Sequence, residues 1–469
     1  MSASDIALNK VYEKIWELSP CHHLPGIYEK LQELTAELIK SYTEAGRLDE
    51  DPFSSTEKRT LSLPHDQISA LLNSATCLVT GGLGCVGSCL VNKLAALGAS
   101  KIIVLDKLSP TPEVREQNSK IFYIQADICD RESLYAIFNE YQPHLVFHTA
   151  AQRNPGYAES HVAETVDTNI FGTLNIVKAC ENTGSVQQCV FSSTGKASRY
   201  YTDEIYAATK KIDEYIFDTY SRNSKIRYSF VRFTHILDNS LMNMELKEQR
   251  KTRYIAIHSP GKYVTAQNVS EAASLLLNAL LTSSLNQCNF LVVRHLEWPV
   301  ESLEMALYHI KEGGRSLPVI FKGNPRGYCE KFFRGQMDWS CPEELNLLIN
   351  VYENKYKTYN EEGDVIISKS IPVSRLLLEQ VLAEISNAAG ESMTRERLAA
   401  GLKSLVQEML QHTDQHDTLN ILHWGLHPQH LAAEGTTMND YSPTVNLLLE
   451  SLADTDVQEN QLWNTTYGE

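Results

Sequence analysis

From about residue 75 the chain alternates short apolar runs with longer amphipathic ones. The runs TCLVT, KIIVLD, IFYIQAD, HLVFHTA, QQCVFSS and IRYSFVRF predict strands. Between them SCLVNKLAALG, RESLYAIFNEY, HVAETVDTNIFGTLNIVKACENTG and the segment that carries Tyr206 predict helices. Strands that are apolar on both faces, each separated from the next by a helix, predict a doubly wound parallel α/β sheet covered on both sides.

The flanks read differently. Residues 1–72 predict a helical extension: Leu8, Val11, Ile15 and Leu18 fall on one face before Pro20, and Ile27, Leu31, Leu34, Leu38 and Ile39 form a second stripe. The polar stretch GRLDEDPFSSTEKRT then predicts a linker. Residues 73–345 form the expected α/β domain, with a smaller mixed lobe over about 240–345 of the kind that covers a substrate. Residues 346–469 turn helical and polar, with VSRLLLEQVLAEISNAA and TRERLAAGLKSLVQEMLQ as amphipathic helices. The apolar stripes of both extensions predict a subunit interface, hence a homo-oligomer.

Composition narrows the class. A length of 469 residues exceeds one ordinary domain, and 43% hydrophobic with 21% charged residues is ordinary globular usage. The net charge of -16 excludes a phosphate-backbone binder, so no nucleic-acid partner is expected. No apolar run approaches a membrane span, and MSASDIALNK has no apolar signal core. Ten cysteines without a Cys-x-x-Cys pair predict reduced, mostly buried thiols in a cytoplasmic protein.

Two stretches carry chemistry. In CLVTGGLGCVGSCLVNKLAALG a glycine turn joins a strand to a helix, and Gly81, Gly82, Gly84 and Gly87 fit the dinucleotide fingerprint. Glycines there let backbone N–H groups of the turn, with Cys85 and Val86 opening the helix, reach a pyrophosphate at the helix N-terminus. Asp106 ends the next strand, 19 residues after Gly87, where its carboxylate accepts ribose hydroxyls and repels a 2'-phosphate. NAD is therefore the expected cofactor, with Lys107 as its neighbour, and the fold is Rossmann-type. The second stretch is FSSTGKASRYYTDEIYAATK, residues 191–210. Tyr206 and Lys210 stand one helical turn apart, a spacing at which an ammonium lowers a phenol's pKa toward use as a base. Ser193, at the end of the preceding strand, would hold the substrate oxygen, with Thr194 beside it.

These residues resemble the extended short-chain dehydrogenases/reductases, and within them the capsular-polysaccharide type of nucleotide-sugar 4,6-dehydratases, over about residues 75–335. SSTGKA followed closely by YAATK, together with QADICDRESL, HTAAQRN, TNIFGTLNIVKAC and VRFTHILDNS, carries the likeness. The resemblance implies that Asp127 and Ile128 touch the adenine, that Ala150 and Ala151 line the cofactor, and that Asn169 supports the active-site helix. It also implies that Lys210 holds the nicotinamide ribose, that Arg153 faces the substrate, and that Arg326, Glu330 and Lys331 in GNPRGYCEKF are remnants of a nucleotide-holding motif. Gly195 stands where the family has the aspartate that protonates the leaving hydroxyl, and two extra residues separate Lys196 from Tyr206. Lys196 is then the candidate second acid/base.

The expected function is oxidation of a secondary alcohol of a nucleotide sugar by NAD, as dehydrogenase, epimerase or dehydratase, with elimination disfavoured by Gly195. The alternatives are the same redox chemistry on a non-sugar natural-product alcohol, and a non-catalytic NAD-binding scaffold. His412/His416 and His423/His427 have i, i+4 spacing, but Pro428 and the lack of nearby cysteines point to a polar surface, and no metal site is expected.

Overall fold

The computed structural model describes residues 3–115, 118–239 and 253–452. The start of the expected mixed lobe, 240–252, and the last part of the C-terminal extension, 453–469, lie outside the described residues. The chain divides into two compact units, one of residues 1–60, 234–271 and 295–325, the other of 61–233, 272–294 and 326–469.

The larger unit is built on a nine-stranded sheet: β1 Thr76–Thr80, β2 Lys101–Asp106, β3 Ile121–Gln125, β4 Leu145–His148, β5 Gln188–Thr194, β6 Arg227–Phe233, β7 Asn289–Val293, β8 Thr358–Tyr359 and β9 Val365–Lys369. Their spatial order is β8-β9-β7-β6-β5-β4-β1-β2-β3. The seven strands from β7 to β3 are parallel, and β9 is antiparallel to β7. This is the doubly wound sheet expected from the sequence, and the order reverses between β1 and β4, where such sheets bind ligands. The central strands β1, β2, β4, β6 and β7 are almost wholly buried, whereas β3, with one neighbour, is half exposed. The segment after 346 carries the expected helices and also supplies β8 and β9. Those two strands are short or flanked by polar turns, so only their pairing reveals them, β9 with β7 and β8 with β9.

The helix expected over 161–184 is interrupted. Val162–Val166 passes into a π-helical turn, Asp167–Phe171, and then into Gly172–Asn182. The helix Ile205–Ser221 is buried along nearly its whole length, including Lys210, Lys211, Asp213, Glu214 and Asp218. A helix buried all round needs cover on every side. Beyond the sheet, part of that cover comes from Gly390–Gln411, whose Leu398, Leu402, Leu405 and Val406 are buried, alongside Pro155–Ser160 and the Asp167–Phe171 turn.

In the smaller unit, the helices Ala3–Leu18 and Ile27–Glu44 form one core with the later segments: Val11, Ile15, Leu31, Leu34 and Leu38 pack with Leu303, Leu307, Ile310, Val319 and Phe321. The N-terminal stripes are thus covered within the chain. They do not call for a second subunit, because distant residues supply the partner surface that the sequence pattern left open.

Candidate active site

The glycine turn is closed by packing that tolerates no side chain. Gly81 has φ +66, and a Cβ there would lie 2.8 Å from Ala150 Cα; at Gly87 it would lie 2.3 Å from the Gly81 carbonyl oxygen. Gly82 presses on Val104, and Gly84 precedes the helix Cys85–Ala96, which Cys85 and Val86 open. Asp106 sits against this turn. One carboxylate oxygen accepts the Leu83 N–H at 3.0 Å and the other the Leu108 N–H at 3.0 Å. Each oxygen keeps lone-pair capacity for a further donor. The cradle at the β1–β4 switch point therefore fits a dinucleotide. Lys107 is exposed beside it.

Other expected cofactor residues divide. Ala150 and Ala151 are partly exposed next to the turn, and Asp127 is exposed with Oδ1 accepting the Cys129 N–H at 2.9 Å. Ile128 departs from expectation: its side chain is buried and lies against Gly172, where a Cβ would come within 2.6 Å of Ile128 Cδ1. A side chain spent on helix packing is not presented to an adenine. Asn169 is buried in the π-helical turn, where its Oδ1 accepts the Gln152 N–H at 2.7 Å and its Nδ2 donates to Thr209 Oγ1 at 2.9 Å. It ties the loop after β4 to the Tyr206 helix. The π turn is what points Asn169 inward.

At the end of β5, alternation decides which hydroxyl faces Tyr206. Thr194 lies at the Tyr206 phenol and favours its ionisation. Ser193, on the opposite face of the strand, is buried and donates to Glu214 Oε1 at 2.6 Å. In this geometry Thr194, and not Ser193, is the hydroxyl beside Tyr206. Burial pushes the Tyr206 phenol up to about 12, while Thr194 and the charge of Arg153 act in the opposite direction. Lys210 pairs with a carboxylate on its own helix. Its Nζ lies 3.7 Å from Asp213 Oδ2 and 3.9 Å from the centre of the Phe191 ring, and burial brings the amine down to about 8.

Lys196 is embedded in a cluster. Its Nζ donates to Glu204 Oε2 at 2.5 Å and to the Gly327 carbonyl at 2.9 Å, and stands over the Tyr328 ring. Burial lowers its pKa; the Glu204 charge opposes this. Arg199 bridges Glu204 at 3.0 Å and Glu330 at 2.6 Å, and Thr202 donates to Glu330 at 2.6 Å. Burial raises the Glu330 carboxyl to about 7. Glu330 and Lys331 are thus engaged inside the chain, Lys331 with Asp440 at 3.0 Å, while Arg326 is exposed at the start of the loop and Arg153 at the mouth of the site.

Gly195 is not an empty position. A Cβ there would lie 2.2 Å from Leu348 Cδ2, and Leu348 is buried. The side chain that would carry an acid has been replaced by a leucine from another part of the chain. Sequence reasoning passed over Leu348, Asp213, Glu204 and Arg199. Glu204 and Arg199 stood in the same stretch as Tyr206, but nothing local marks Leu348.

Against known proteins, residues 77–297 match the family described as polysaccharide biosynthesis protein. Over that segment the chain is similar to that family. The probable polysaccharide biosynthesis protein EpsC of Bacillus subtilis is 26% identical over 57% of this chain and 46% of its own length. The capsular polysaccharide biosynthesis protein CapD of Staphylococcus aureus is 24% identical over 62% of this chain and 52% of its own. A dTDP-glucose 4,6-dehydratase of Neisseria gonorrhoeae is 31% identical over 30% of this chain and 42% of its own. The chain thus spans about half the length of the curated relatives it matches. The X-ray structure of Pen from Bacillus thuringiensis shares the fold at a TM-score of 0.55 and 20% identity, covering 65% of this chain and 90% of that one. An epimerase from Methanothermobacter thermautotrophicus does so at 0.51 and 21%, covering 59% and 86%.

Among the described residues no helix is long and apolar enough to cross a membrane, and no group of three or more His, Cys, Asp or Glu is placed to hold a metal ion. His423, His427 and His430 meet ring to ring.

Proposed function

We propose that this chain is an NAD-dependent enzyme of the extended short-chain dehydrogenase/reductase type. It oxidises a secondary alcohol of a nucleotide sugar and works as a dehydrogenase or epimerase, not as a dehydratase. The observation that carries this reading is the pairing of Thr194 with Tyr206 beside a glycine turn closed by Asp106. The dehydratase among its relatives supports a nucleotide sugar as substrate.

Gly81, Gly82, Gly84, Gly87 and Asp106 would hold NAD, and the carboxylate favours it over NADP. When bound, the cofactor supplies the hydride acceptor. Tyr206 would take the hydroxyl proton at its phenolate oxygen. The Thr194 hydroxyl beside that oxygen favours its ionisation, and the Arg153 charge stabilises it. Lys196, lowered by burial, would hold or move a second proton near the substrate oxygen.

Loss of water needs a general acid, whose absence costs about a hundredfold to ten-thousandfold. Leu348 fills that position. The test incubates the protein with NAD and UDP-N-acetylglucosamine or a related nucleotide sugar and resolves products by mass and by sugar analysis. A keto sugar or an epimer is expected, lost in Tyr206→Phe with NAD affinity retained. Efficient formation of a 4-keto-6-deoxy sugar, or a fully active Tyr206→Phe, would refute the reading.

A further inference from the structure

The first turn of the Tyr206 helix is held from outside the helix. The opening N–H groups of a helix lack partners within it, and the residue before the helix usually supplies one from its side chain. Here that residue is Glu204, and its side chain makes no such bond. Its carboxylate is engaged by Lys196 at 2.5 Å and by Arg199 at 3.0 Å instead. The Ile205 N–H, next to Tyr206, donates to Glu159 Oε1 at 2.9 Å, from the helix Pro155–Ser160. The other Glu159 oxygen accepts from Arg395 Nη1 at 2.8 Å, and the Glu159 carbonyl accepts from Arg395 Nη2 at 2.7 Å. One planar guanidinium thus grips both the side chain and the main chain of Glu159.

Arg395 belongs to Gly390–Gln411 of the C-terminal extension. Four residues earlier on the same helix, Glu391 accepts the Val162 and Ala163 N–H groups, at the start of the helix that runs into the π-helical turn. That turn carries Asn169, which bonds Thr209 of the Tyr206 helix. Two segments that touch the Tyr206 helix, at Ile205 and at Thr209, are therefore both held by one end of Gly390–Gln411. The Glu159 side chain is only 7% exposed. Without the arginine, a nearly buried carboxylate loses its counter-charge, which favours turning it out to water or protonating it. Each outcome weakens its hold on the Ile205 N–H.

We propose that Arg395 is a positioning residue for the reaction: through Glu159 it fixes the start of the Tyr206 helix, and with it the place of the phenol beside Thr194. The inference rests on the reading of Tyr206 as the base. It gives the C-terminal extension a part in turnover besides covering the fold. Arg395 acts through Glu159, so its loss misplaces the phenol while every group assigned above to cofactor and substrate stays present. A displacement of about 1 Å at a reacting group can cost about a hundredfold, so kcat should fall by about ten- to a hundredfold, with KM and NAD affinity little changed.

The experiment measures kcat and KM of the full chain with NAD and UDP-N-acetylglucosamine, or the related nucleotide sugar that the wild type accepts, in Arg395→Met, Glu159→Ala and the double variant. NAD affinity is read by titration calorimetry and the folded fraction by urea unfolding. Both single variants should lose kcat, and Arg395→Met should lose little further on the Glu159→Ala background, because the arginine works through that carboxylate. Glu159→Ala decides the matter where Arg395→Met does not fold. Val381→Ala is the structural control: Val381 packs on Gly401 of the same helix, where a Cβ would lie 2.5 Å from Val381 Cγ1. It should lose stability and keep its kcat per folded molecule. Wild-type kcat in a folded single variant, a loss confined to KM or NAD affinity, additive losses in the double variant, or an equal kcat loss in Val381→Ala overturns the inference. A wild type that turns over none of these nucleotide sugars overturns the proposed function and this inference together, whereas an active wild type with an equally active Arg395→Met overturns only this one.

Discussion

The fit of Leu348 over Gly195 can be measured as a coupling. A methyl added at Gly195 would sit 2.2 Å from Leu348 Cδ2, where carbon atoms ordinarily rest about 3.5–4.0 Å apart. The leucine cannot easily retreat. The Leu348 carbonyl accepts from Arg232 Nη1 at 2.9 Å, its N–H donates to Asn346 Oδ1 at 2.9 Å, and the Leu347 carbonyl accepts from Ser198 at 3.1 Å. Gly195→Ala therefore overpacks a pinned site and should cost about 1–3 kcal/mol. Leu348→Ala alone should cost about 2–5 kcal/mol through the cavity it leaves. In the double variant the added methyl has room, so Gly195→Ala should be nearly neutral on the Leu348→Ala background. The coupling energy is then about 1–3 kcal/mol. Urea unfolding of the four proteins gives this cycle directly. A neutral Gly195→Ala in the wild type, or the same cost on both backgrounds, would show that Leu348 does not fill the position. It follows that Gly195→Asp alone gains no elimination activity, and that a carboxyl fits only when Leu348 is also shortened.

The two hydroxyls at the end of β5 should separate cleanly. Ser193→Ala is expected to lose about 1.5–3 kcal/mol of stability, from its bond to the Glu214 carboxylate, with turnover changed only a few-fold. Thr194→Val is expected to fold normally and lose about tenfold or more in turnover; the reverse pattern in paired denaturation and rate measurements would contradict the assignment. Asp106→Ala should weaken NAD by about tenfold or more and relax the exclusion of NADP, read by titration calorimetry; unchanged preference would remove Asp106 from the cofactor site. Because burial holds the Tyr206 phenol near 12, it stays protonated through neutral pH. An ultraviolet difference titration of the ligand-free wild type against Tyr206→Phe should show no extra phenolate below about pH 10, and an early signal would mean that the phenol is already activated.

The sheet, the glycine turn and the Tyr206 helix were legible in the sequence because each rests on local physics. Apolar runs of strand length, glycines where a Cβ cannot fit, and the i, i+4 spacing of Tyr206 and Lys210 are properties of neighbours along the chain. The two N-terminal helices were legible for the same reason, through their stripes. What covers those stripes was not, because Leu303, Ile310 and Val319 lie some 250 to 300 residues away. Strand alternation made Ser193 and Thr194 opposite in direction, but only the packed helix with Glu214 on it decided which direction was buried. Side-chain aim behaves likewise. The spacing puts Lys210 on the same helix face as Tyr206, yet a buried ammonium goes to the nearest uncompensated carboxylate, Asp213. Gly195 marked the missing acid from sequence alone. That its place is filled, by a leucine 153 residues further on, is a fact of tertiary packing, since two groups distant in the chain compete for one volume only once both are folded around it.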